Sequence, residues 1–277
     1  MTPALSDMEG MWRRSLIAWP DGRRDVTTAV HWLQSASFYA DLRQPADRPS
    51  FAGVGCLRQV RQDQIAWLAR QEGFAGALLR DGTWFEWQRD LDFQPQSRYS
   101  DIGRLRFDGD MLIEEGFDVA YIEHWHRETM TDYPDAAARL RDRHNGCTGF
   151  LVRLGVAFMV ARTRAFPLPP FRSLSDYALE APSLQDAQDL VDCEISIGTV
   201  AQDGWVIENS SLPFKEGRRL CPVPLARSER GIETIDLDSN GAEIKRYWDV
   251  TDLRRSLGDL LACDAGDSQA RSVGAAS

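Results

Sequence analysis

The stretch between residues 10 and 43 constrains the fold more than any other part of the chain. A turn sequence, Pro20-Asp21-Gly22, separates the apolar run Met11–Trp19 from Arg24–Gln34, in which side chains alternate in polarity. A short turn at 35–37 leads into a third alternating run, Phe38–Arg43. Proline and glycine suit tight turns, and a period of two is typical of a strand. Three successive strands predict a meander, which commonly opens an up-and-down β-barrel.

The remainder of the first 130 residues continues this pattern. Apolar residues at helical spacing predict one helix over Leu57–Gln71, and Asp-Gly turns separate further strands. These predicted strands are Phe74–Leu79, Thr83–Leu91, Ser100–Phe107, Met111–Glu115 and Val119–Arg127. About eight short strands at spacings of about ten residues predict an antiparallel barrel over residues 8–130.

The second half of the chain is similar in style. Residues 131–147 are polar and are predicted to link the first barrel to a second, barrel-like domain over residues 148–263. Its predicted strands are Thr148–Leu154, Ala157–Arg164, Val191–Val200, Trp205–Asn209, Ile232–Asp236 and Glu243–Val250. Serines at cap positions predict two short helices, Ser173–Ala178 and Ser183–Leu190. The small polar residues 264–277 are predicted to form a flexible tail. The expected class is mainly β, with two antiparallel barrels and a few short helices.

Composition narrows the classes of partner. A formal net charge of −10 argues against nucleic acid, since binding a phosphate backbone needs a basic face. No apolar run approaches about 18 residues, so we expect no membrane span. The first ten residues lack the basic and apolar regions of a secretion signal, and the five cysteines are scattered without a Cys-x-x-Cys. We therefore expect a cytoplasmic protein with reduced, mostly structural thiols.

Gly10-Met11-Trp12 opens the first predicted strand and is similar to the Gly-x-Trp that begins lipocalin-like barrels. In that family the tryptophan plugs the closed end of the barrel, and an arginine from the last strand lies across it. The resemblance implies these roles for Trp12 and for Arg127, or for Arg14 from the same face.

The whole chain also resembles a small family that includes a yeast casein-kinase-interacting protein and is built of two unequal lipocalin-like barrels. This resemblance rests on length, on the double-barrel layout, and on Glu114-Glu115-Gly116 followed by Tyr121-Ile122-Glu123-His124-Trp125. It implies a fold but little chemistry. Haem-binding relatives of this barrel type carry a histidine ligand that has no match here, so we expect no cofactor.

Strand parity assigns charged side chains to the barrel interior. If Trp12 points inward, Arg14 does too, and the same alternation selects one face of the third and closing strands. The residues on those faces are Tyr39, Asp41, Arg43, Tyr121 and Glu123. Buried charges must be paired or neutral, and a buried carboxyl can have a raised pKa and serve as acid or base. The predicted catalytic roles are proton donor for Tyr39 or Glu123, base for Asp41, and anion clamp for Arg14 and Arg43.

The opposite orientation of the third strand competes with this interpretation. In that case the polar set faces solvent as cross-strand partners, and the apolar set fills the interior. The polar set is Tyr39, Asp41 and Arg43, and the apolar set is Phe38, Ala40 and Leu42.

Nine tryptophans favour an aromatic-lined pocket for a planar ligand. The predicted ligand-binding residues are Trp12, Trp32, Trp87, Tyr121 and Arg127. The alternative is that the aromatic side chains of the strand around Trp87 only form the wall and core of the barrel and contact no ligand. His124 and His126 share a strand face and supply two metal ligands at most, with no third ligand fixed by the sequence, so we expect no metal.

Two functions fit these features. One is a cofactor-independent lyase or isomerase that binds a small aromatic or apolar molecule in a barrel and acts by general acid–base chemistry. Elimination, hydration, decarboxylation and isomerisation are the expected reactions. The other is a non-catalytic small-molecule carrier or protein-interaction scaffold. Inward charges favour the enzyme, and the lack of a strong catalytic motif favours the carrier. The sequence leaves open which barrel is functional, and whether the other caps it or forms a homodimer.

Overall fold

Two antiparallel sheets and several short helices make up the protein, which confirms the predicted mainly β class. The computed structural model describes residues 2–129, 134–202, 204–225 and 230–262. Within those ranges, no helix combines the length and the apolar character that crossing a membrane requires. The predicted tail, residues 264–277, lies outside the described residues.

The first sheet is a closed barrel. Its strands are β1 (Gly10–Ala18), β2 (Arg24–Asp25), β3 (Ala29–Gln34), β4 (Tyr39–Gln44), β5 (Glu72–Asp81), β6 (Trp84–Asp92), β7 (Ile102–Asp108), β8 (Met111–Gly116) and β9 (Ile122–Arg127). From β3 to β9 the strands follow chain order, and β1 pairs with both β3 and β9. That last pairing closes the barrel, and the two-residue β2 is an addition to the end of β1.

The predicted strand Arg24–Gln34 is interrupted between β2 and β3. Asp25 Oδ1 accepts hydrogen bonds from the amides of Thr27 (2.8 Å) and Thr28 (3.2 Å), which forms a local turn. Val26 is exposed there. The alternation of residues 26–28 was therefore misleading, because an aspartate side chain can replace the ladder as the partner of nearby amides.

The closed end of the barrel is plugged by aromatic rings. Trp12 stacks on Trp32 with ring centroids 5.8 Å apart, and its Nε1 donates to the carbonyl oxygen of Met8 at 2.7 Å. The guanidinium carbon of Arg127 lies 4.6 Å from the centre of the Trp12 ring. This is the contact that the resemblance to lipocalin-like barrels implied.

The second sheet is a curled half-barrel. Its strands are β10 (Asp135–Asp142), β11 (Thr148–Leu154), β12 (Ala157–Arg162), β13 (Glu194–Ala201), β14 (Gly204–Ser210), β15 (Val223–Pro224), β16 (Gly231–Leu237) and β17 (Glu243–Arg254). Their order is β14-β13-β12-β11-β10-β17-β16-β15. β14 and β15 therefore form its two edges.

Part of the predicted linker is a central strand of this sheet. β10 pairs with β11 on one side and β17 on the other. Its alanines are buried on both faces, with Ala137 toward the first barrel and Ala136 and Ala138 toward the inside of the half-barrel. The linker prediction was wrong for 135–142 because small residues buried on both faces show no alternation. Residues 130–133, where the linker was expected to begin, lie outside the described residues.

Short helices fill the gaps around the two sheets. They are α1 (Gln62–Leu68), α2 (Leu174–Glu180), α3 (Leu184–Leu190) and α4 (Leu257–Leu261), and 3₁₀ turns at Leu5–Met8, Leu57–Gln59 and Pro213–Lys215. The predicted caps are confirmed, since Ser173 and Ser183 each accept a hydrogen bond from the amide three residues later at 3.1 Å. The helix predicted over Leu57–Gln71 is divided by extended backbone at Val60.

A shared core joins the two sheets and decides the parity of β4. Phe38, Ala40 and Leu42 point out of the barrel and pack against the second sheet, where the Phe38 and Phe150 rings lie 5.4 Å apart. Tyr39 and Asp41 consequently point into the barrel, where both are almost fully buried. The solvent-facing orientation of this strand is therefore wrong, because both of its faces are covered.

Candidate functional site

Charged side chains lie inside the barrel, next to its buried tryptophans. Arg14 Nη1 donates to Glu123 Oε1 at 2.5 Å, and Arg43 Nη1 approaches the same oxygen at 3.5 Å. Arg43 Nε donates to Asp41 Oδ1 at 2.9 Å. With Glu114, described next, these four residues form what we call the acid cluster. The structure thus brings together four of the five residues predicted to be catalytic.

Glu114 is the member of the acid cluster that the sequence interpretation missed. It is 3% exposed, and its oxygens accept hydrogen bonds from Tyr121 Oη (2.6 Å) and Trp125 Nε1 (3.1 Å), both neutral donors. Burial, and then the charge of Glu123, raise the pKa of Glu114 well above its usual range. We therefore expect Glu114 to carry a proton at neutral pH.

Two glycines make room for this pair of side chains. A Cβ on Gly103 of β7 would lie 3.2 Å from Glu114 Cγ, and one on Gly116 would lie 2.4 Å from the Tyr121 ring. Glycine inside a strand often marks such a close approach. These glycines, together with the parity of β8, were the sequence signal that could have identified Glu114.

Glu114 and Glu123 are directly opposite each other on β8 and β9. Glu123 Oε2 is buried and has no hydrogen-bond partner among the described residues. Side chains at such paired positions have Cβ atoms about 5 Å apart. Two buried carboxyl groups, one of them with an open acceptor position, therefore face the same small volume.

Asp41 is the second carboxyl of the acid cluster with a shifted pKa. Burial raises the pKa of Asp41 to about 6, although Arg43 opposes the rise. A carboxyl that titrates close to neutral pH is suited to accept a proton from a substrate.

A cleft of about 900 Å³ opens at the end of the barrel opposite Trp12. Trp87, Arg89 and Tyr121 are among the residues that line it. Arg89 forms ion pairs with Asp92 (2.9 Å) and Asp101 (2.7 Å). Tyr121 connects this mouth cleft to the acid cluster through its hydrogen bond to Glu114.

Phe74 also lies between the mouth cleft and the acid cluster. Arg89 lies 3.6 Å from the centre of the Phe74 ring, and Arg43 lies 5.0 Å from it. The Arg43 side chain remains 16% exposed. The Phe74 ring thus contacts one guanidinium that lines the mouth cleft, that of Arg89, and one that belongs to the acid cluster, that of Arg43.

The other predicted site residues lie away from the mouth cleft. Tyr39 is buried, its hydroxyl donates to the Gln88 carbonyl oxygen at 3.4 Å, and burial raises its pKa well above the usual range. Trp12 and Arg127 lie at the closed end, and Trp32 packs edge-on against Trp87 and Trp125. A contact of Trp12, Trp32 or Arg127 with a ligand stays a prediction.

Comparisons with known proteins add a likeness but no function. No family model and no curated protein match the chain. A crystal structure of the uncharacterized protein YLR301w from Saccharomyces cerevisiae matches with a TM-score of 0.47 and 13% identity, over 88% of this chain and 98% of that chain. A likeness at this level carries no argument about function or family.

Proposed function

We propose that the open end of the first barrel is a general acid–base site for a small aromatic or apolar substrate. The reaction class is lyase or isomerase chemistry, by elimination, hydration, decarboxylation or isomerisation, with the protein's own side chains as proton donor and acceptor. The observation that carries the proposal is Glu114, a buried carboxyl whose hydrogen-bond donors are neutral and which is connected to the mouth cleft through Tyr121.

In this proposal Tyr121 donates the proton. For this step the hydrogen bond between the two residues is reversed: the O–H of protonated Glu114 donates to Tyr121 Oη, and the Tyr121 hydroxyl turns to donate to the substrate. The substrate then takes the hydroxyl proton of Tyr121 as Tyr121 takes the proton of Glu114, so that no free phenolate forms. This route suits the raised pKa of Tyr121, which burial and Glu114 cause. It replaces the donors expected from the sequence, because Tyr39 points to a backbone carbonyl and Glu123 already accepts from Arg14.

The roles of Asp41 and Arg43 follow the expectations from the sequence, whereas that of Arg14 does not. Asp41 is the base, and Arg43 is the anion clamp, supported by Arg89 on the same aromatic ring. Arg14 holds Glu123 in place rather than contacting substrate. Trp87 supplies an aromatic surface in the mouth cleft against which a planar substrate can stack.

Glu114→Gln and Tyr121→Phe test the donor. The readout is the rate of keto–enol conversion of phenylpyruvate, a small aromatic acid whose isomerisation needs one proton donor and one acceptor. Losing a general acid should lower the rate about 10²–10⁴-fold. Glu115→Gln is the matched control, because Glu115 is partly exposed and pairs with Arg106 at 3.4 Å. Equal rates in folded Glu114→Gln and wild type would exclude Glu114 as the acid.

Asp41→Asn and Arg43→Gln test the other half of the site. Both should stay folded and lose turnover, and unchanged turnover in both would show that the site is wrongly assigned. Infrared spectra give an independent measurement, since a protonated carboxyl band at pH 7 should be present in wild type and absent in Glu114→Gln.

A non-catalytic carrier or scaffold is the second candidate function. The pairing of Arg43 with Asp41 and of Arg14 with Glu123 favours it, because such pairs can be purely structural. It predicts that phenylpyruvate quenches tryptophan fluorescence without being converted. We also propose, from the sequence runs around Trp12 and Glu114, that the chain belongs to the family of unequal double barrels.

A further inference from the structure

The half-barrel encloses a cavity of its own, far along the chain from the acid cluster. It measures about 320 Å³ and has apolar walls. The wall residues are Leu140, Leu151, Val160, Ile207, Ile232 and Trp248. All of them belong to the buried core inside the half-barrel. We call this space the inner cavity.

One side of the inner cavity is polar, and its lining includes the basic residues Arg162, Lys215, Arg218 and Arg219 and the acidic residues Glu194, Asp236 and Glu243. Lys215 forms ion pairs with Glu194 and Asp236, and all three residues line the cavity. Arg246 adds a hydrogen bond to Asp236 at 2.9 Å. Burial raises the pKa of Asp236, but these cations outweigh that effect and hold the pKa below its usual range. These carboxylates therefore have cationic partners of their own.

The Nε of Arg162, on this polar side, is a hydrogen-bond donor without an acceptor among the described residues. Arg162 is 5% exposed and lines the inner cavity. Its Nη2 donates to Asp192 at 2.7 Å and its Nη1 to the Thr163 carbonyl oxygen at 3.1 Å. Its Nε is buried without a hydrogen-bond partner among the described residues, and the nearest carboxylate oxygen of Glu194 is 4.0 Å away. A buried donor without an acceptor is costly, which is why such groups usually have one.

We propose that the inner cavity binds a small neutral apolar molecule with one carbonyl oxygen, which accepts a hydrogen bond from Arg162 Nε. Apolar walls with a few placed polar groups are the usual composition of a small-molecule site. The volume is at the lower end of the range for such sites, about 300–1,000 Å³, so the ligand is small.

A carboxylate is the wrong ligand for this site. The buried lining cations Arg162 and Lys215 already face Glu194 and Asp236, and the other two lining cations, Arg218 and Arg219, are exposed, so another buried negative charge would lack a buried partner. A ketone or ester satisfies the unpaired donor without adding charge. The inner cavity therefore selects neutral carbonyl compounds over acids of the same length.

Cys221 provides a reporter for occupancy in the unmodified protein. It lines the inner cavity and is partly exposed, whereas Cys56, Cys147 and Cys193 are buried. The probes are 2-nonanone and nonanoate, which have equal chain lengths. Alkylation of Cys221 by iodoacetamide is followed peptide by peptide by mass spectrometry, with glutathione as the control for direct effects on the reagent.

We expect saturable protection of Cys221 by 2-nonanone, at least fivefold, and little protection by nonanoate. Arg162→Lys keeps the charge but removes Nε, and it should weaken the 2-nonanone effect about tenfold. Ile207→Phe fills the cavity and should abolish the effect, whereas Tyr121→Phe, in the other barrel, should leave it unchanged.

Three results would overturn the proposal. Absence of protection by 2-nonanone in wild type would show that nothing of this class binds. Stronger protection by nonanoate would contradict a neutral ligand, and equal protection in Arg162→Lys would remove the role of Nε. If Ile207→Phe does not fold, the wild-type and Arg162→Lys measurements still decide. Because Tyr121 is not part of this site, failure here is independent of the acid–base proposal.

Discussion

Two buried carboxyl groups, one in each sheet, have opposite chemical states. Glu114 in the first barrel receives hydrogen bonds from a tyrosine and a tryptophan, and its pKa is raised. Asp236 in the half-barrel contacts Lys215 and Arg246, and its pKa is lowered. Burial alone raises the pKa of both, so the adjacent cations decide the sign.

The difference separates a region suited to proton transfer from one suited to holding a fixed charge. In the acid cluster three carboxyls share two arginines, so at least one carboxyl favours its neutral form. In the half-barrel, Lys215 and Arg246 hold Asp236 as an anion. This contrast supports our two proposals, proton transfer in the first barrel and ligand binding in the second.

Replacing Asp236 should have the largest effect on stability. Asp236→Asn leaves Lys215 and Arg246 short of a buried anion, and breaking buried pairs typically costs about 3–5 kcal/mol. Urea denaturation at pH 7 measures this loss. Glu243→Gln is the control, because Glu243 lines the same inner cavity but is exposed. A loss no larger than that of the control would mean that Asp236 is not held as a buried anion.

Asp41 should give the second largest effect, through pH. Its pKa is raised from 3.8 to about 6, so the folded state binds this proton more tightly than the unfolded state does. Stability should therefore fall as pH rises from about 4 to about 6, by about 3 kcal/mol at about 1.4 kcal/mol per pKa unit. The lowered pKa of Asp236 acts in the opposite direction, since its stabilisation is lost as pH falls below the usual carboxyl range.

Urea denaturation of wild type and Asp41→Asn between pH 4 and pH 8 isolates the Asp41 contribution. The asparagine does not titrate, so the difference between the two curves should change across this window. Parallel curves would show that the Asp41 pKa is not raised by folding.

Much of the fold was readable from local signals. Alternation and turn residues gave the meander, and the strand β11 begins and ends at the predicted residues. The strand β10 was missed because its buried alanines show no alternation of polar and apolar residues. The break after Asp25 was missed because the Asp25 carboxylate accepts hydrogen bonds from the amides of Thr27 and Thr28, which a continuous strand would have paired with its neighbour.

The site was readable in part, for a similar reason. Parity from Trp12 correctly placed Arg14, Asp41 and Glu123 inside the barrel, because every second residue of a strand shares a face. Sequence does not show which inward carboxyl lacks a cation, since that depends on strands distant in the chain. The neutral hydrogen-bond donors of Glu114 therefore became visible only in its contacts, and the inner cavity only in the folded second sheet.

Glu114→Gln should cause the smallest loss of stability, and this makes it the sharpest contrast with Asp236→Asn. The glutamine oxygen can still accept from Trp125, its amide NH2 can donate to Tyr121 Oη, and it replaces a carboxyl that we expect to be neutral. Folding of the wild type takes up a proton at Glu114 once the pH exceeds the usual value of 4.5, whereas glutamine needs none, so we expect the variant to be at least as stable as wild type at pH 7, measured by the same urea denaturation. A loss as large as that of Asp236→Asn would mean that Glu114 is an anion in the folded protein. Tyr121 would then have no proton to relay, and the acid–base proposal would fail before any substrate is tested.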